Sequence, residues 1–350
     1  MFVLKGVMQM KKVKVVLAVI ILLMVIFLLF MAQKIYDTKK TEQVSAKEEK
    51  TDTIWVGTIQ LAWNKLKEKI GHDIEFENSS QEQSELVNKL NSSKFNEEML
   101  SSDSYTVIAD KITPELRKSI ENELNGKSQL LKSIDWKTKG ENYLIYSKLN
   151  KSMSFKLPFD RLEADNFNGQ EPKVKYFGIN ASSSEQLYDI VNVMLYNGKQ
   201  ESAVSLDTVE GDKIILYRTG NIEKSLEQIW QELNEKSSNY AKKKKKTKFA
   251  QVDTLKVPFI KFNENLRYRE LEGNIKDSNG AIIQEVLQTV NFSLDDNGAN
   301  VSSETKMNVV YKDMEARDFE YNAPFVIFLV ENNQPYFACK VNDTNYLESE

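Results

Sequence analysis
The chain has 350 residues, room for one large domain or two small ones, and its 28% charged and 41% hydrophobic residues are ordinary for a globular protein. A net charge of −4 gives no overall signal for nucleic acid, and a single histidine with a single cysteine excludes both a His/Cys zinc centre and an intrachain disulfide. There is no Walker loop, GxGxxG or nucleophile elbow, and no carboxylate pair stands out, so nothing here argues for an enzyme or a cofactor.

Residues 1–14 carry Lys5, Lys11, Lys12 and Lys14 ahead of an unbroken apolar run, residues 15–32 (VVLAVIILLMVIFLLFMA). Its eighteen residues at ~1.5 Å rise make a helix of roughly 27 Å, about one hydrocarbon core. The preceding lysines predict a short cytoplasmic tail, a single-pass transmembrane signal-anchor, and an extracytoplasmic remainder held at the cell membrane. A cleaved signal peptide would have a shorter core ending in small residues, where Phe30, Met31 and Gln33 stand instead, and a lipoprotein would need a cysteine there. Residues 33–52 are charged and without period, a polar stalk; residues 53–350 form the extracytoplasmic domain. Without disulfides, that domain depends on its core.

Residues 54–70 place Ile59, Ala62, Trp63, Leu66 and Ile70 at helical spacing and predict an amphipathic helix. Trp55 and Trp63 read as core rather than a binding stripe. Residues 79–100 read as helix in two pieces around Asn91-Ser92-Ser93, and Thr113-Pro114-Glu115 opens another helix, to about Leu124. Strand-like runs follow at residues 143–146, 174–179, 190–196, 202–206 and 214–217. A helix capped by Ser225 spans residues 225–233. The five lysines 242–246 suit either an anionic polymer or a solvated loop, and the lack of interleaved aromatics favours the loop. Residues 255–262 (LKVPFIKF) read as one strand. Helices first and strands later predict an α+β fold around a large mixed or antiparallel sheet.

The last third holds two apolar runs, residues 282–294 and 325–330, with about thirty polar residues between them and a short run, residues 336–341, behind. Asp295-Asp296-Asn297-Gly298 is a strong turn signal. IIQEVLQTVNFSLDDNGANVSS and YNAPFVIFLVENNQPYFACKV, in this order and at this separation, resemble strand 5A with its hinge and the buried C-terminal hairpin of the serpins. SLEQIWQEL and LKVPFIKF are similar to the helix and strand around the family's LPKF motif. Residues 143–167 are similar to its strand 3A, with Phe155 at the usual tryptophan and Leu157-Pro158-Phe159-Asp160 well matched. The resemblance covers residues 143–341, with a shortened N-terminal helical half.

It implies a reactive loop whose N-terminal half enters the main sheet as an extra strand once a serine protease has cut it. The hinge would comprise Gly298, Ala299, Val301, Ser303 and Thr305, the last four alternating so that one face can be buried. Family spacing puts the bait bond at Lys312-Asp313, for a trypsin-like protease, with Arg317 as fallback. Departures are Asn300 and Val301 in the hinge, Gln288 at the family's shutter histidine, and no recognisable SPLS helix. A simple hairpin, residues 286–294 turning into 300–311, is the alternative, with a non-inhibitory envelope scaffold as its functional counterpart. Residues 325–330 and 336–341 should form a buried hairpin, with Cys339 a buried apolar residue rather than a reactive thiol. A Cys–His pair with His72 stays open on spacing alone.

Overall fold
A computed structural model describes residues 54–123, 134–137, 141–242, 247–297 and 315–350. The order begins β1 (Ile54–Val56), α1 (Thr58–Ile70), α2 (Gln81–Ser92), β2 (Tyr105–Lys111), α3 (Pro114–Glu123) and β3 (Asn142–Ser152). It continues with β4 (Asp160–Phe167), β5 (Gln170–Ile179), β6 (Val191–Tyr196), β7 (Ser202–Asp207), β8 (Lys213–Arg218) and α4 (Leu226–Lys242). Then come β9 (Thr254–Pro258), β10 (Ile260–Arg267), β11 (Gly273–Asn274), β12 (Ile282–Leu294), β13 (Asp318–Glu320), β14 (Phe325–Glu331) and β15 (Gln334–Val341).

Among the described residues these strands form three sheets. A six-stranded antiparallel sheet has the order β1-β15-β14-β8-β7-β6. A five-stranded sheet has the order β10-β12-β3-β2, with β11 also on β12, and a four-stranded sheet the order β13-β9-β5-β4. The fold is α+β. Its largest core cluster gathers side chains from all three sheets, including Phe177, Phe292 and Phe337, so each sheet supplies a wall of one interior.

The C-terminal hairpin is in place. β14 and β15 pair antiparallel, Phe325 opposite Val341, and residues 325–330 are all buried. Ser225 caps α4 reciprocally: its hydroxyl accepts from the Gln228 N–H at 3.2 Å while its own N–H donates to the Gln228 side chain at 3.1 Å. The helix runs nine residues beyond residue 233, to Lys242.

Four readings need correction. Residues 54–56 are a strand, not helix: Ile54 and Val56 are buried against β15 while Trp55 points outward, 36% exposed and edge-on to Phe95. Trp63 is core, as expected, its indole N–H donating to Asn91 Oδ1 at 3.0 Å. The single strand expected over 255–262 is two strands in two sheets. Pro258 has no N–H to continue a ladder, and the Phe259 N–H turns to the Lys175 carbonyl at 2.9 Å. β2 was not anticipated. The simple hairpin also fails, because one edge of β12 pairs β10 and the other pairs β3, leaving no edge for a returning strand.

The apolar run 15–32, its flanking tail and stalk, and Lys243 to Lys246 lie outside the described residues. Among the described residues no helix is long and apolar enough to cross a membrane.

Candidate functional site
The seam between β3 and β12 is the centre of the five-stranded sheet. Among the described residues it is that sheet's one parallel pair, in register from Ile282 opposite Asn142 to Ser293 opposite Ser152, with a bulge between Ile283 and Glu285. No strand lies between them. The chain leaves β12 at Leu294 and turns through Asp295-Asp296-Asn297. Any segment folding back there runs antiparallel to β12 and therefore to β3 as well, so the seam is oriented to accept it.

A buried polar cluster holds the inner side of the seam. Gln288 on β12 is fully buried; its amide donates to Thr58 Oγ1 at 2.9 Å and Ser147 Oγ at 3.0 Å. Thr58 also donates to Ser147 at 3.2 Å, and the Tyr268 hydroxyl donates to Gln288 Oε1 at 2.7 Å. Thr58 begins α1 and Ser147 is on β3, so one amide ties both sides of the seam to the helix beneath. In an apolar interior such a closed set is strong when complete and costly when broken. The sequence reading noted Gln288 as a departure but missed its partners. The available signal was a glutamine inside the otherwise apolar inward row Val286, Val290 and Phe292.

Below, on the outer side, Glu285 is 5% exposed, with Arg267 Nη1 at 3.8 Å. Burial pushes its carboxyl up to about 7, Arg267 draws it back, and Glu272 and Asp135 push it further. At the upper end Lys151 on β3 meets Asp212 at 2.6 Å in the interior, and the Tyr336 hydroxyl donates to the same carboxylate at 2.7 Å.

The stems on either side of residues 298–314 are both fixed. The Asn297 carbonyl accepts from the Phe155 N–H at 3.0 Å, the Asp296 carbonyl from Phe159 at 3.2 Å, and Arg161 forks the Asp296 carboxylate. Phe155, at the position compared with the family's tryptophan, is fully buried, edge-on to Phe159 with centroids 4.7 Å apart. The hinge residues Gly298, Ala299, Val301, Ser303 and Thr305 and the bait bond Lys312-Asp313 lie outside the described residues.

Arg317 is described, and its surroundings correct the fallback assignment. Its guanidinium is 3% exposed and pairs with Asp253; it also donates to the Lys248 carbonyl at 2.7 Å. A protease needs an extended, accessible side chain; this arginine is an interior anchor for the second stem. His72 is exposed, its ring against the Asp73 carbonyl, whereas Cys339 is fully buried and burial pushes its thiol well up, so the two do not make a nucleophile–base pair. No group of three or more His, Cys, Asp or Glu among the described residues is placed to hold a metal.

No protein-family model matches the sequence, and no curated protein matches it. Solved structures do match. Maspin superposes with a TM-score of 0.55 at 10% identity, over 85% of this chain and 94% of maspin. Mouse protein-Z dependent protease inhibitor gives 0.53 at 12%, over 82% and 90%, and uncleaved ovalbumin 0.52 at 11%, over 84% and 95%. The chain has the serpin fold, on a diverged sequence.

Proposed function
We propose that the chain is a membrane-anchored, serpin-like inhibitor of an extracytoplasmic, trypsin-like serine protease, with residues 298–314 as its reactive loop. The observation that carries this reading is the closed parallel seam between β3 and β12, beside the stem from which the loop leaves. A strand entering there replaces one parallel pairing by two antiparallel ones, and at ~1 kcal/mol per net hydrogen bond, less the cost of ordering the strand, eight or so residues add several kcal/mol. That gain is available only to a sheet not yet expanded. One of the matched structures is named as a protease inhibitor, which is in keeping with this role. Lys312-Asp313 is the bait bond of the proposal. Membrane attachment rests on the apolar run 15–32 and its lysine flank, and puts the domain outside the membrane.

The test compares the melting temperature of the full chain before and after a single cut between residues 298 and 314, and incubates it with trypsin-like proteases. Insertion raises the melting temperature of the cut chain by tens of degrees, and inhibition leaves a protease complex that survives boiling in detergent. An unchanged melting temperature with no such complex discards inhibition and leaves a non-inhibitory scaffold.

A further inference from the structure
The outward face of the five-stranded sheet is divided in two. Its lower half carries Leu144, Tyr146 and Leu287, covered by Ile120 of α3 and by Ile134. Its upper half is polar and open, and the seam runs through it. Asn150, Asn291 and Asn263 stand in register across β3, β12 and β10, and Ser152, Ser293 and Lys261 form the next row. Together they line a groove of about 430 Å³, within the size range of small-molecule sites.

Two features of this groove call for a ligand. The Asn291 Oδ1, at the centre of the asparagine row, is closed to solvent and has no hydrogen-bond partner among the described residues. An unmet acceptor costs free energy, and the terminal torsion of asparagine is soft enough to turn it into the groove toward a donor. Lys261 is exposed and makes no ion pair among the described residues, and no carboxylate lines the groove. The first feature asks for a hydroxyl and the second for an anion. The flanking amides and hydroxyls, each able to donate and accept, suit a molecule with several hydroxyl groups.

We propose that this groove binds a small, hydroxyl-rich anion, a sugar acid or sugar phosphate, its anionic group on Lys261 and its hydroxyls on Asn150, Asn291 and Ser293. Such a ligand bridges β3 and β12. A strand inserted between them would move Asn150 away from Asn291 by a further ~4.8 Å, one strand spacing, so the ligand binds only the closed sheet and holds it closed. This second consequence rests on the loop reading above; the binding itself does not.

The experiment titrates the intact full chain in detergent, without protease, with glucuronate, glucose 6-phosphate and glucose, following heat and melting temperature. At least one of the two anions binds ten or more times more tightly than glucose and raises the melting temperature; which of them does so identifies the source of the charge. Lys261→Gln and Asn291→Leu each weaken that binding at least tenfold, and Lys261→Gln, an exposed substitution, leaves the unliganded melting temperature unchanged. Equal binding of glucose, no binding of either anion, or full binding by Lys261→Gln overturns the site. If the site holds, saturating ligand slows the stabilisation that follows loop cleavage. If binding is seen but the rate is unaffected, the clamp is wrong and the site stands. Absence of any stabilisation after cleavage, with or without ligand, counts against the loop reading alone.

Discussion

Arg317 and Asp253 meet in the interior through two guanidinium–carboxylate hydrogen bonds, Nε to Oδ1 at 3.1 Å and Nη2 to Oδ2 at 2.6 Å, with side chains 3% and 0% exposed. The carboxylate also accepts the backbone N–H groups of Arg317 at 3.0 Å and Ala250 at 2.7 Å. The pair is therefore built into the second stem rather than laid on its surface. Arg317→Ala leaves Asp253 charged and buried, and by comparison with other broken buried pairs should cost about 3–5 kcal/mol in denaturant unfolding. Limited digestion of the native chain with trypsin, read by mass spectrometry, should yield no cut after Arg317. An early cut there would show that the anchor opens readily.

The cluster around Gln288 should behave as one unit. Gln288→Leu keeps the side-chain bulk but deprives the Tyr268 hydroxyl of its acceptor and Thr58 and Ser147 of their shared donor. A loss of about 2–4 kcal/mol is expected, from ~1–3 kcal/mol for each buried group left unmatched. Adding Thr58→Val and Ser147→Ala should recover part of that loss, because fewer unmatched groups remain. Strict additivity across this series would mean the three side chains are not coupled.

The seam should also respond to pH through Glu285. Its carboxyl sits at about 7 in the folded chain against an ordinary 4.5, so the folded state holds a proton that the unfolded state releases. The resulting contribution is complete below about pH 4.5 and is lost as pH rises from there to about pH 7. Glu285→Gln, neutral throughout, should be more stable than the parent at pH 8 by about 1–3 kcal/mol, at ~1.4 kcal/mol per pKa unit, and little different at pH 4.5. Unfolding curves at the two pH values decide it. An equal difference at both would assign the effect to packing rather than to charge.

The C-terminal hairpin should not tolerate a charge. Val326 and Phe328 are 0% and 1% exposed, beneath α4 beside Trp230. Val326→Asp or Phe328→Asp should abolish cooperative unfolding and send the chain to aggregates, since an unpaired buried carboxylate costs more than the typical stability of a domain leaves to spare. Melting at the parent temperature would remove the hairpin from the core. The Cys339 thiol on β15, fully buried in the core on the hairpin's other face, should react with a thiol reagent only after denaturation.

How much of this was legible depends on how far each element's signal is local. The hairpin could be read because Phe325 to Val330 is buried on both faces and so is continuously apolar. The Asn332-Asn333 turn, both residues at positive φ, marks where its first strand ends. β12 was visible through alternation instead, with Val286, Val290 and Phe292 on the inward row and Asn291 and Ser293 on the outward one. β1 was hidden because three residues carry too short a pattern to compete with the helix that follows, and its strand character comes from pairing with β15, almost three hundred positions away. β2 is half-buried along most of its length and shows no clean alternation. The break after Pro258 was written in the sequence, but which sheet each half would join was not. At the site, Gln288 was noticeable and its partners were not, because Thr58 and Ser147 reach it only through the folded sheet. Arg317 looked like bait because a lone arginine beside a polar stretch carries no sign of Asp253, sixty-four residues earlier.

The joint at Phe259 gives the two stems a mechanical relation that neither sheet would give alone. β12 pairs with β10, β10 is separated from β9 by that single residue, and the Thr254 N–H at the head of β9 donates to the Arg317 carbonyl at 3.0 Å. Leu294 and Arg317 are thus joined by an unbroken path of paired and consecutive strands that does not pass through residues 298–314. A cut within residues 298–314 leaves that path intact, so it keeps Leu294 and Arg317 at their spacing. Whatever force a bound partner applied to one stem would be borne by the other, through a path in which Phe259 is the narrowest link.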